Sequence, residues 1–202
     1  MRTCHPTESL DALLARVRSC RECEAVLPLG PRPVLRISAE ARLLIVGQAP
    51  GRRVHETGIP WNDPSGDRLR DWLAMDREQF YEDPRIAIVP AGLCYPGRLP
   101  GRGGDAPPRP ECAPKWHPVL RAAMPGIRLT LLIGAHAQAF YLRDAVGKTL
   151  ADTVAGGRRF LPEFLPLPHP SPRNIAWFRR HPCFEQETVP ELRRQVREVL
   201  GG

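Results

Sequence analysis

A chain of 202 residues with a formal charge of +7 and 42% hydrophobic residues is long enough for one domain with a sizeable core. No run approaches the ~20 apolar residues of a membrane span, and Met1-Arg2-Thr3-Cys4-His5 carries no signal-peptide core, so a cytoplasmic protein without membrane contact is expected. Arginine supplies nearly all the basic excess, since Lys115 and Lys148 are the only lysines; arginine suits bidentate phosphate contacts, which suggests a polyanionic partner.

In chain order, Leu10, Leu13, Leu14 and Val17 recur at helical spacing and predict a helix over Leu10–Arg18, capped by Thr7 or Ser9. Cys20-Arg21-Glu22-Cys23 follows it. A proline-rich loop, Leu27 to Pro33, leads into a short edge strand over Val34–Ile37. Leu43–Val46 is the first buried strand, and it ends in Gly47-Gln48-Ala49-Pro50-Gly51. Proline lacks the donor a ladder needs, and glycine allows angles closed to other residues, so the strand stops there.

Arg52 to Asp67 reads as a polar connection, followed by a short helix from Asp67 to Leu73. Ile86–Val89 predicts a second buried strand. The loop Pro90 to Pro114 after it is too long to stay ordered without a function or a cross-link. A helix over Lys115–Met124, a strand over Leu129–Ile133 and a helix over Ala135–Leu142 come next. Arg158–Leu161 reads as one more strand and Phe164–Leu167 as the last. That last strand runs into Pro168-His169-Pro170-Ser171-Pro172-Arg173-Asn174, and an amphipathic helix over Glu185–Leu200 closes the chain.

Strands alternating with helices predict an α/β fold: three layers, with a central, mostly parallel four-stranded sheet covered by helices on both faces. Residues 1–202 form one domain on this reading, acting as a monomer. The 24 prolines punctuate the loops and form no low-complexity tract. In a parallel sheet the exits Gly47–Gly51, Pro90–Cys94 and Pro168–Asn174 meet at one edge, where open α/β sheets bind ligands.

Cys20 and Cys23 form a C-x2-C pair, and seventeen residues separate Cys94 from Cys112. In a cytosolic chain such a pattern indicates metal or redox chemistry rather than disulfides. All-thiolate ligation suits an iron–sulfur cluster or structural zinc.

Three motifs now stand in order: Gly47–Gly51 followed by Thr57-Gly58-Ile59-Pro60-Trp61; the four cysteines; and His169-Pro170-Ser171-Pro172-Arg173-Asn174. From about Cys20 to Asn174 the chain resembles the uracil-DNA glycosylase superfamily. Its cysteines are similar to those of the iron–sulfur branch and its Arg-Asn ending to that of the single-strand-selective branch. The resemblance implies a base-excision repair hydrolase on DNA, associated with the nucleoid, that flips a damaged base from the stack.

It also implies site residues. Trp61 would stack on the base over a floor of Gly47, Gln48, Ala49, Pro50 and Gly51. His169 would donate a hydrogen bond to the charge developing on the leaving base. Ser171 and the backbone nearby would hold a phosphate, Arg173 would enter the minor groove in place of the expelled base, and Asn174 would join them in contacting the DNA. Cys20, Cys23, Cys94 and Cys112 would bind a [4Fe–4S] cluster, with structural zinc as the alternative. Two positions depart from the family pattern: Ala49 stands where active branches carry a water-positioning Asp or Asn, and Pro90 stands where the iron–sulfur branch has a base-reading asparagine. Gln48 remains, and His55, beside Glu56, is the candidate for orienting water. These departures keep a second reading open, a glycosylase-fold protein that binds single-stranded or damaged DNA and cleaves it poorly. A cluster-stabilised protein acting on a small molecule is a third.

Overall fold

The computed structural model describes residues 8–101 and 103–201. Its sheet is built from four short runs with almost no polar side chains: β1 (Leu43–Val46), β2 (Ile86–Ile88), β3 (Leu129–Ile133) and β4 (Phe164–Leu167). They lie in the order β2-β1-β3-β4. Every pairing is parallel, with Leu44 opposite Ala87 on one side and Thr130 on the other, and Leu131 opposite Leu165. The sheet is thus wholly parallel among the described residues. Pro166 is tolerated because β4 is an edge strand.

Alternation along each strand divides the core in two. Leu44, Val46, Ala87 and Leu132 pack on one side with Leu13 and Val17 of α1 (Leu10–Arg18), Trp116 and Leu120 of α5 (Cys112–Ala122), and Ala137 and Leu142 of α6 (Ala135–Leu142). Leu43, Ile45, Ile88, Leu131 and Leu165 pack on the other with α3 (Pro64–Leu73), Phe80 of α4 (Arg77–Glu82) and α9 (Val189–Gly201). Three short helices complete the fold: α2 (Arg52–Thr57), α7 (Leu150–Ala155) and α8 (Ile175–Arg180). Gln138, buried under the sheet edge, donates to the carbonyls of Leu132 at 3.2 Å and Leu167 at 2.9 Å, tying the ends of β3 and β4 together.

Helix starts follow capping chemistry. Ser9 accepts from Ala12 N–H at 3.2 Å and caps α1; Thr7, the other candidate, lies outside the described residues. Asp63 accepts from Gly66 N–H at 2.8 Å, with Pro64 at the first helical position, so α3 begins three residues earlier than periodicity suggested.

Other expectations are corrected. Val34–Ile37 makes a single antiparallel bridge, Arg36 with Ile88, and is not a strand. Arg158–Leu161 is not a strand either: Gly157–Phe160 forms a 3-10 turn, with Gly157 against Pro166 of β4. The polar connection after Gly51 contains α2, α5 starts at Cys112 rather than Lys115, and a π turn over Phe184–Thr188 precedes α9.

Candidate functional site

Parallel strands release their loops at one edge, and here the exits of β1, β2 and β4 surround a cavity of about 590 Å³. The ladder continues past the strands: Ala91 N–H donates to Gly47 C=O at 2.9 Å and Gly92 N–H to Gln48 C=O at 2.8 Å. Gly47–Gly51 form the floor with Pro90 beside them, and Trp61, His169, Ser171, Arg173 and Asn174 complete the expected lining.

Trp61 is fixed by its neighbours. A Cβ on Gly47 would fall 2.7 Å from the indole Cζ2, so the ring lies directly on that glycine. Trp61 has φ +56°, a conformation L-residues seldom adopt. The buried guanidinium of Arg70 holds it there, donating to Trp61 C=O at 3.2 Å and to Tyr81 Oη at 3.1 Å, while Tyr81 donates to Pro60 C=O at 3.0 Å. The indole lies 5.6 Å from the His169 ring, tilted by 36°, so the two rings form one wall.

The His169 loop is tied by its own side chains. Ser171 N–H donates to His169 Nδ1 at 3.2 Å, which leaves Nε2 as the ring's N–H donor. Asn174 donates to His169 C=O at 2.8 Å, and Arg68 donates to Ser171 C=O at 3.4 Å. Burial pushes the His169 imidazole below its ordinary pKa, against the opposing pull of Asp63, so the ring is neutral near pH 7. A neutral imidazole with a free Nε2–H can donate to a developing anion.

His55 is not brought to this cavity. It is buried on α2, 6.0 Å from the Tyr95 ring, with Nδ1 unpartnered among the described residues. Two acids that periodicity did not single out are brought there instead: Asp63, the cap of α3, and Asp105, on the long connection. The Asp-Pro-Ser run at 63–65 is a helix-start signal, which could have found the first. Asp105 follows Gly103-Gly104 in a segment with no periodicity to place it.

Pro90 offers the cavity no polar side chain, and its carbonyl is already engaged. His117 of α5, buried, donates to it from Nε2 at 3.0 Å, while Tyr141 Oη sits 2.8 Å from Nδ1. Gln48 reaches across to Ala106 C=O at 3.4 Å.

Cys20, Cys23, Cys94 and Cys112 share a second, small pocket of about 30 Å³, walled by Leu27, Leu93 and Trp116. Among the described residues, no group of three or more His, Cys, Asp or Glu is arranged to hold a metal ion. The chemistry of the pocket nonetheless fits a thiolate-bound group. Leu93 N–H donates to Cys112 Sγ at 3.3 Å, and Arg109, which lines the pocket, has a buried Nε without a partner. Burial, with the other thiols adding, pushes Cys112 up to about 12 and Cys94 up to about 11. Such thiols ionise only where a cation draws the proton off.

Among the described residues no helix is long and apolar enough to cross a membrane. The family model of the uracil DNA glycosylase superfamily matches residues 36–193, a span that holds Cys94, Cys112 and the cavity lining apart from Val34, while Cys20 and Cys23 precede it. The chain belongs to the uracil DNA glycosylase superfamily, whose members act on DNA, and its function is of the glycosylase type in DNA repair.

Proposed function

We propose that this chain is a monofunctional DNA glycosylase that hydrolyses the N-glycosidic bond of uracil or another damaged base, by water attack at the sugar C1′ without a covalent enzyme intermediate. The observation that carries the reading is the wall of Trp61 and His169 over the Gly47–Gly51 floor. A base expelled from the stack needs an aromatic plane and a donor for the charge it acquires on leaving. Trp61 supplies the plane. His169 Nε2–H supplies the donor, and as a neutral group it binds the developing anion without first trapping a ground-state charge. Ser171 would hold a backbone phosphate, Arg173, exposed, would fill the vacated stack, and Asn174 braces the loop through His169 C=O. Gln48 and the backbone around Ala49 would orient the base.

Cys20, Cys23, Cys94 and Cys112 would hold a [4Fe–4S] cluster, which would relate this chain to the iron–sulfur branch. Bound there, the cluster would serve as a staple between α1 and the long connection and take no part in the hydrolysis. Structural zinc on the same four thiols is the alternative. Arg109 donates to Glu111 through one terminal nitrogen at 3.0 Å, and its remaining Nε–H, buried and without a partner among the described residues, would face the cluster's negative charge.

A second reading, a protein that binds damaged or single-stranded DNA without efficient cleavage, is favoured by Ala49 and Pro90, which bring neither carboxylate nor amide to the β1 and β2 exits. One assay separates the two. The purified chain is incubated with oligonucleotides bearing uracil, hypoxanthine or xanthine and then treated with alkali; strand breaks at the modified base are expected. His169→Ala should slow excision by about 10²–10³-fold and leave DNA affinity within roughly threefold. Salt-sensitive DNA binding with no breaks on any substrate would favour the binding reading, and equal losses of rate and affinity would make His169 a structural residue.

A further inference from the structure

Hydrolysis requires a proton acceptor for the attacking water, and Ala49 cannot be one. Among the described residues the cavity is lined by four ionisable side chains: Asp63, Asp105, His169 and Arg173. Arg173 has no acceptor. His169 already uses Nδ1 to accept from Ser171 N–H, and its remaining nitrogen carries a proton. Asp63 spends Oδ1 capping α3. Asp105 makes no hydrogen bond or ion pair among the described residues.

Its backbone is nonetheless well held. Leu99 N–H donates to Gly104 C=O at 2.9 Å and Ala106 N–H to Gly97 C=O at 2.8 Å, closing a hairpin around the Arg98–Asp105 bridge. Gln48 fastens that hairpin to the cavity floor through Ala106 C=O. Both carboxylates stand beside the floor loop: a Cβ on Gly51 would be in ordinary contact with Asp105 Oδ2 at 3.4 Å and with Asp63 Oδ2 at 3.9 Å. The carboxylate therefore overlooks the floor loop from the hairpin opposite.

We propose that Asp105 is the general base of this site, an acid delivered from the long connection to do what the side chain at Ala49 cannot. This rests on the glycosylase reading. The water oxygen bonds to C1′ as the bond from C1′ to the base nitrogen breaks. The bonding pair leaves with the base, where His169 Nε2–H stabilises it, and the water proton passes to Asp105. Return of that proton to the base anion, directly or through solvent, gives the free base and an abasic sugar hydroxyl.

The surroundings suit a base. Burial raises the Asp105 carboxyl above the ordinary aspartate range, with Arg173 and Arg98 opposing and Asp63 reinforcing the rise. A carboxylate so placed holds a proton more readily than a solvated one while two cations keep it ionised near neutrality. Activity should accordingly fall as pH drops through the Asp105 pKa, at a higher pH than a solvated aspartate would give.

The test uses the whole chain and a uracil-bearing single-stranded oligonucleotide under single-turnover conditions. Asp105→Asn, nearly isosteric, should lower the excision rate by about a hundredfold or more, leave affinity for an uncleavable 2′-fluorinated substrate within threefold, and erase the acid limb of the pH–rate profile. Formate should restore part of the rate to Asp105→Ala. An Asp105→Asn enzyme within threefold of wild type with its acid limb intact overturns the proposal, as does a loss confined to affinity. Wild-type protein that binds the oligonucleotide but excises nothing overturns the glycosylase reading itself, and the base with it.

Discussion

The cavity and the thiol pocket share one stretch of chain, residues 90–112, yet they are made in different ways. The cavity is open, and its shape comes from backbone: Gly47 under the indole, and loops held by amide-to-carbonyl bonds. The thiol pocket is small and apolar, and its content is side chains. Desolvation acts in both. At His169 it removes a charge and leaves a donor suited to an anion. At Cys94 and Cys112 it keeps the thiols protonated and neutral. One physical cause thus leaves a neutral donor in one place and neutral thiols in the other.

The largest effect that would break this contrast is at Cys112. On the proposed cluster ligation, Cys112→Ser should abolish iron binding and the visible thiolate-to-iron absorbance. It should also lower the unfolding midpoint by roughly 10 °C or more, since each kcal/mol lost moves Tm by about 2–4 °C in a chain of this size. Metal content, spectrum and calorimetry check it. An anaerobically prepared wild type free of both iron and zinc would remove the metal from the comparison.

The difference between the two regions also explains what the sequence made visible. The strands could be read because four apolar runs are bounded by glycine or proline, and buried parallel strands have that appearance. The cysteines were legible by spacing, and all four reach one pocket. Trp61 and His169 were legible through the motifs around them, and both line the cavity. The helices α2, α4, α7 and α8 were not: each has six residues, too few for a helical period to show, and their stability comes from packing. Arg158–Leu161 looked like a strand because Phe160 and Leu161 follow two arginines, but β4 was already the edge partner of β3 and the segment turned instead. His55 was placed by proximity to the floor loop in sequence, whereas α2 rotates it towards Tyr95. Asp105 depends on a hairpin that only tertiary hydrogen bonds reveal.

His117 joins the two regions, since its helix begins at Cys112 and its Nε2–H holds Pro90 in the cavity wall. Burial lowers its pKa to about 4, from an ordinary value of 6.5. Between those values the unfolded chain takes up a proton that the folded chain refuses, so stability is intact above pH 6.5 and falls as pH falls towards 4. Down to pH 4.5 the loss amounts to roughly 2–3 kcal/mol. Urea unfolding of wild type and His117→Gln across pH 7.5 to 4.5 measures it. The glutamine can still donate to Pro90 and accept from Tyr141, so only the titration is removed. His136 and His169, also lowered by burial, remain in both proteins, and the difference between the curves isolates His117. Parallel curves would show that the link between the regions does not titrate in this window.

The smallest effect tests whether backbone shape makes the cavity. Gly47→Ala sets a methyl 2.7 Å from Trp61 Cζ2, closer than carbon atoms tolerate. The indole cannot retreat with its backbone, because Arg70 holds the Trp61 carbonyl and φ is already positive. The ring must therefore tilt out of the wall it forms with His169. Affinity for a uracil-bearing oligonucleotide should fall about tenfold, equivalent to ~1.4 kcal/mol, while Tm should move by less than about 4 °C, the shift for roughly 1 kcal/mol. Gly103→Ala is the control on the long connection, since a Cβ there meets nothing within 4 Å. Fluorescence titration and calorimetry on the three proteins decide the matter. If Gly47→Ala binds as wild type does, the indole plane is not what receives the base, and the cavity would have to be read from its polar rim instead of its floor.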